Sequence, residues 1–121
     1  MVEGYFAQDI PFIRVDLAWG DSIQSPLTVL DTGFTGDLQV TPAIAQELGL
    51  QVAGVIQTQV ASGDVVETPI ALAVAGMEGI SRYVQILISN SMPLAGIGLL
   101  SKFSYKAIVD CRKKTVQLER V

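Results

Sequence analysis

The chain has 121 residues, of which 50% are hydrophobic and 17% charged, a composition that fits one domain with a packed core and excludes a disordered chain. With no His and a single Cys, Cys111, it cannot carry imidazole-based nucleophile systems, zinc ribbons, CxxC redox pairs or an intrachain disulfide. The net charge is −4 and the only basic cluster, Arg112-Lys113-Lys114, reads as a solvated turn, so no nucleic-acid partner is expected.

Residues Met1–Arg14 lack a basic stretch followed by an apolar one, so no secretory leader is expected. The longest uncharged apolar runs, Ile70–Met77 and Met92–Leu100, fall far short of the ~20 residues that span a bilayer, so no membrane partner is expected either. A lone thiol suits a reducing compartment, and the expected location is cytoplasmic. Phe12–Leu17 alternates with period two and reads as a strand ending at the turn Gly20-Asp21-Ser22. Leu27–Leu30 is a short apolar run, bounded by Pro26 and Gly33, that reads as a buried strand. One helix is clearly signalled. Thr41 caps it, Pro42 suits its first position, Ala43–Leu48 propagate it, and Gly49 stops it.

Val55–Val60 and Val65–Val74 flank the polar turn Ala61-Ser62-Gly63-Asp64 and predict a hairpin. Ser81–Ser89 predicts a further strand, and Leu99–Phe103 a short helical segment. Lys106–Cys111 and Thr115–Arg120 predict a closing hairpin around the basic turn. Many short strands, one clear helix and no linker predict a single mainly β domain over residues 1–121, with a closed, barrel-like architecture. The surplus of apolar residues also points to a subunit interface.

Most candidate motifs fail on spacing. Gly96-Ile97-Gly98 lacks the third glycine and the βαβ setting of a dinucleotide fingerprint, and no phosphate-cradling loop or GxSxG elbow is present. Ser101-Lys102 and Tyr105-Lys106 read as surface neighbours, and Asp37, Asp64 and Asp110 as solvent or turn acids. One motif survives: Leu30-Asp31-Thr32-Gly33-Phe34-Thr35-Gly36, an acid placed directly after a buried apolar strand and followed by a turn with two glycines. By itself it is equally well a turn in which Asp31 accepts local amide hydrogen bonds.

From Leu30 onward the chain resembles the retropepsin-like aspartic proteases, especially short stand-alone members with D-T-G-F-T-G. The resemblance rests on Asp31-Thr32-Gly33, the helix Thr41–Gly49, and the flap-like hairpin Val60–Val66. It extends to the segment Pro93-Leu94-Ala95-Gly96-Ile97-Gly98-Leu99-Leu100-Ser101 and to the closing strands Ala107–Asp110 and Val116–Glu119. It implies a closed retropepsin-like barrel and a peptidase that needs no cofactor and no metal.

The resemblance also assigns roles. Two carboxylates about 3 Å apart share one proton, because both cannot ionise together, and they activate water against a peptide carbonyl. With one D-T-G per chain, the second carboxylate must be Asp31 of another copy in a homodimer. An acid-biased, bell-shaped activity profile on peptide or protein substrates follows. Thr32 would brace the two loops across the axis, Gly33 would admit the substrate backbone, and Ser62, Gly63 and Asp64 would form the flap tip. Phe34, Leu94, Ala95 and Gly96 would line or support subsites. Gly98 stands where such proteins carry a helix-capping Asp or Asn, and glycine is an adequate cap there. Two other readings stay open: a catalytically inactive dimer that binds peptides or proteins, and a β-barrel that binds small molecules.

Overall fold

A computed structural model describes all 121 residues, Met1–Val121. Strands account for 56% of the chain and helices for 11%. The N-terminal segment holds β1 (Val2–Glu3), β2 (Tyr5–Ala7) and β3 (Ile10–Arg14), with β2 and β3 joined by a tight turn at Gln8-Asp9. Both turn residues have positive φ, 50° and 63°, the backbone twist that suits a two-residue hairpin. The run Phe12–Leu17 is not one strand. It divides at the fully buried Val15 into β3 and β4 (Asp16–Trp19), because β3 pairs with β6 (Leu27–Leu30) whereas β4 pairs with β5 (Ser22–Gln24) and β9 (Val65–Met77).

Helix α1 (Pro42–Leu48) has the signalled boundaries. Thr41 Oγ1 accepts from the Ile44 amide at 3.3 Å, and Gly49 closes the helix with φ 72° in the left-handed region. After it, β8 (Val52–Gln59) and β9 form a long hairpin, and β10 (Ile80–Ile88) pairs with β9 through the tight Glu78-Gly79 turn. Two short strands, β7 (Leu38–Val40) and β11 (Leu94–Ala95), complete the larger sheet, in the order β2-β3-β6-β11-β7-β10-β9-β4-β5 with β8 added on β9. β12 (Tyr105–Asp110) and β13 (Thr115–Arg120) join β1 in a three-stranded sheet.

Two expectations are corrected here. The pairing path ends at β2 and at β5 without joining them, so the sheet is a curled half-barrel rather than a closed barrel. The short helical segment expected over Leu99–Phe103 is a second helix, α2 (Ile97–Lys102), which begins two residues earlier and ends one residue earlier than expected. Both sheets feed one cluster of 20 buried residues, from Ile13 through Leu38 and Ile86 to Leu118. Only 27 of the 121 residues are buried, so much of the apolar half of the composition lies at the surface. The outer part of the β8–β9 hairpin shows this most clearly, with Val55, Val60, Val65 and Val66 all exposed. No helix is long and apolar enough to cross a membrane.

Candidate active site

The site is built where β6 ends. One face of β6 is buried through Thr28 and Leu30, and Thr28 Oγ1 donates to the Ile13 carbonyl at 2.9 Å, fixing the strand against β3. β11 inserts between β6 and β7, parallel to the first and antiparallel to the second. The loop Asp31–Asp37 therefore leaves one neighbour of β11 and returns on the other. At its start the Asp31 amide donates to the Ala95 carbonyl at 2.9 Å, which extends the β6–β11 ladder to the acid itself.

Within the loop, the Gly33 amide donates to Asp31 Oδ1 at 2.9 Å and the Phe34 amide to the Asp31 carbonyl at 3.1 Å. These bonds aim the carboxylate and tighten the turn. Three successive amides at the start of α2 then bind the loop from beneath. Gly96, Ile97 and Gly98 donate to the carbonyls of Asp37, Phe34 and Gly36 at 2.9 to 3.0 Å. The first amides of a helix have no partner inside it, and here the loop supplies their acceptors.

This contact explains two glycines. A Cβ on Gly96 would lie 2.3 Å from the Gly36 carbonyl oxygen, and one on Gly98 would lie 2.3 Å from Asp37 Oδ1. Gly98 is thus not the cap expected from the sequence. The cap position is Gly96, with extended backbone and no side-chain bond, and Gly98 lies inside the helix under the loop.

Asp37 is a further departure, because it is buried rather than solvated. Its Oδ2 accepts from the Gln85 amide at 2.9 Å and from Lys102 Nζ at 2.5 Å, and its carbonyl accepts from Gly96. Asp37 ties the end of the loop to β10 and to α2 at once. Lys102, read from sequence as an ordinary surface residue, is its partner.

A cleft of about 860 Å³ opens between the Asp31 loop and β8. Asp31, Gly33 and Phe34 line one side, and Ile56 through Ala61 the other. Leu94 reaches it from β11, with Gln85 and Leu87 from β10. The structure thus brings together Asp31, Gly33, Phe34 and Leu94. Thr32 is exposed on the loop. Ala95 and Gly96 are buried beneath the loop and support it through their backbones. Ser62, Gly63 and Asp64 form the exposed hairpin tip outside the cleft lining of a single subunit, with Gly63 at φ 92° and Ser62 Oγ donating to Asp64 Oδ2 at 3.0 Å. Sequence reasoning passed over β8 as the opposite wall, and the glutamines at 39, 57, 59 and 85 that line the cleft. The glycine pair 96 and 98 was the legible signal for close backbone approach.

A carboxylate presented by a braced loop at the mouth of a β cleft, with α2 underneath, defines a retropepsin-like fold. The solved structures agree. EIAV protease complexed with the inhibitor HBY-793 superimposes with a TM-score of 0.65 at 20% identity, covering 86% of this chain and 97% of that one. A retropepsin-like aspartic protease from Rickettsia conorii gives a TM-score of 0.64 at 16% identity over 98% of this chain and 89% of that one. No protein-family model matches the sequence, and neither does any curated protein.

Proposed function

We propose that the chain forms one domain over residues 1–121 and is an aspartic endopeptidase that works as a homodimer on peptide or protein substrates. The observation that carries this reading is Asp31. Its carboxylate lines an open cleft on a loop held by β11 and the amides of α2, in a fold shared with proteases. One subunit offers one such carboxylate, so the second would come from Asp31 of another copy across a twofold axis. Exposed Thr32 beside it, and the 40% exposed Ile97 whose amide is bonded to the Phe34 carbonyl, support an interface at this end of the molecule.

In the dimer the ionised carboxylate takes a proton from a water molecule as the water oxygen bonds to the scissile carbonyl carbon. The protonated partner donates to the developing oxyanion, and the C–N bond breaks as a proton passes to the leaving amine. The β8–β9 hairpin is the element that would close over an extended peptide and exclude bulk water. The single exposed Cys111 supports a reducing compartment such as the cytoplasm.

The test is hydrolysis of an unfolded protein substrate by the wild type and by Asp31→Asn. The substitution keeps the size of the side chain and the acceptor for Gly33, but removes the proton shuttle. Cleavage by the wild type alone, with both proteins equally folded and equally dimeric, is the expected result. Equal cleavage by both proteins would refute the mechanism. Binding of the substrate without cleavage by either would favour the peptide-binding reading.

A further inference from the structure

The outer face of the larger sheet carries apolar residues that folding leaves in water. Leu17 on β4, Ala73 and Ala75 on β9, and Val84 on β10 are buried in the core. Their neighbours Ala18, Val74 and Tyr83 therefore stand on the opposite face. Strand register sets Ile23, Ala18, Val74 and Tyr83 side by side across β5, β4, β9 and β10. Both ends of the row are open to solvent, Ile23 at 71% and Tyr83 at 66% exposure. Single apolar residues at a surface are ordinary, but a row across four strands marks a contact surface. Trp19, at the end of β4, turns part of this row into a groove of about 300 Å³, which no charged side chain lines.

The groove is continuous with the cleft. Tyr83, Gln85 and Leu87 alternate along one face of β10, where Gln85 and Leu87 line the cleft and Tyr83 lines the groove. Exposed Leu72 pairs with Gln85 and bridges the two. Leu87 and Tyr83 lie about 13 Å apart along the strand, the span of about four residues of extended chain. We propose that the groove is a second binding site for the substrate chain, outside the cleft. An extended peptide leaves the cleft past Gln85 and Leu72 and seats one apolar side chain between Trp19 and Tyr83. That the cleft is where the chain comes from rests on the proteolytic reading above.

The lining decides the class of side chain. Two aromatic rings beside a floor of Ala18 and Val74 offer flat apolar area, the setting in which an aromatic, proline or large aliphatic side chain gains by leaving water. A serine or glycine at the same point of the peptide has no such area to bury. The groove thus adds affinity for substrates that carry apolar residues well beyond the scissile bond.

Trp19 is the only tryptophan of the chain, so its emission reports on the groove directly. Two tryptophan-free peptides of about twenty residues share the same central segment around a Leu-Leu pair; on both flanks one alternates Phe with Ser and the other carries Ser alone. Each is titrated with Asp31→Asn, which separates binding from cleavage, and followed by fluorescein polarisation and, unlabelled, by Trp19 emission. The Phe-flanked peptide is expected to bind at least about tenfold more tightly than the Ser-flanked one, and it alone should shift Trp19 emission to shorter wavelength. With Tyr83→Ser added to Asp31→Asn, the two peptides should bind alike. Equal binding of the two by Asp31→Asn, no binding of either, an unmoved Trp19, or a preference that survives Tyr83→Ser overturns the proposal. A Trp19 shift produced by concentrating the protein alone also overturns it, since a second copy would then fill the groove. Failure of the wild type to cut the Phe-flanked peptide, with the preference and the Trp19 shift intact, overturns only the proteolytic reading.

Discussion

The ammonium of Lys102, at the end of α2, lies 2.5 Å from the carboxylate of Asp37, at the end of the Asp31 loop. The two partners are unequally placed: the Asp37 side chain is 9% exposed and that of Lys102 is 43% exposed. Removing Lys102 strands a buried carboxylate with one remaining donor, the Gln85 amide. Removing the charge of Asp37 only returns an accessible ammonium to water. Lys102→Met should therefore cost ~2 kcal/mol and Asp37→Asn about half of that. The double variant should recover part of the loss from Lys102→Met. Urea denaturation of the three variants checks the order, and a reversed order would show that the pair is not what holds the loop.

Gly98 should be intolerant of any side chain. Its missing Cβ is the space that Asp37 Oδ1 and the Gly36 carbonyl occupy, at 2.3 and 2.9 Å. Gly98→Ala must push the loop away from α2, so we expect ~1–3 kcal/mol of destabilisation and a loss of activity larger than that of stability. Gly20→Ala is the control. Its φ is positive, 57°, but its surroundings are open, so only backbone strain of ~1 kcal/mol is expected, with activity retained. Thermal melts and initial rates on the same samples decide the matter.

Local signals were readable wherever structure depends on neighbours in sequence. The Thr41 cap, Pro42 and Gly49 fixed α1 to the residue, and Leu27–Leu30 ran into Asp31 as the apolar run implied. What escaped depends on distant partners. β7 and β11 are three and two residues long and exist because each completes the other's ladder. The break at Val15 reflects a change of partner from β6 to β9, which periodicity within one strand cannot show. Burial of Asp37 requires Lys102, 65 positions later, and no composition rule links the two. The open edges at β2 and β5 are likewise a property of the whole sheet. The glutamine wall was illegible for the same reason, since β8 faces Asp31 only after folding.

Stability should fall at both extremes of pH through one cluster on the β9–β10 turn. Glu78 Oε2 accepts from the Met1 ammonium at 2.5 Å, and its Oε1 accepts from the Tyr105 hydroxyl at 2.6 Å. The Met1 hydrogen bond, followed by that of Tyr105, holds the Glu78 carboxyl below its ordinary value of 4.5. Its contribution is thus complete above pH 4.5 and is lost as the pH falls through the folded value. Burial, followed by the Glu78 carboxylate, pushes the Tyr105 phenol from 10.0 up to about 12. That contribution is complete below pH 10 and is lost as the pH rises towards 12. The melting temperature of Glu78→Gln should be flatter than that of wild type in acid, and that of Tyr105→Phe flatter in alkali. An acid limb of unchanged steepness in Glu78→Gln would remove this cluster from the explanation.

The proposed sharing of one site between two subunits makes a prediction that a self-contained subunit does not. If each dimer needs Asp31 from both copies, then a dimer in which one chain carries Asp31→Asn lacks either the base or the acid. Wild type and Asp31→Asn, equilibrated at fixed total concentration, should then lose activity as the square of the wild-type fraction. At equal proportions about a quarter of the wild-type rate should remain, because random pairing makes about a quarter of the dimers fully wild type. Independent subunits would retain about half. The substitution lies at the start of an exposed loop and preserves the acceptor for the Gly33 amide, so pairing between the two kinds of chain should be close to random. Light scattering on the same mixtures checks that all remain dimeric. Dilution below the dimer dissociation constant should also lower the specific activity of the wild type, and adding Asp31→Asn chains at that dilution should not restore it. A linear dependence on the wild-type fraction would place both catalytic groups in one chain, and Asp31 would then need a partner that this subunit does not offer within its cleft.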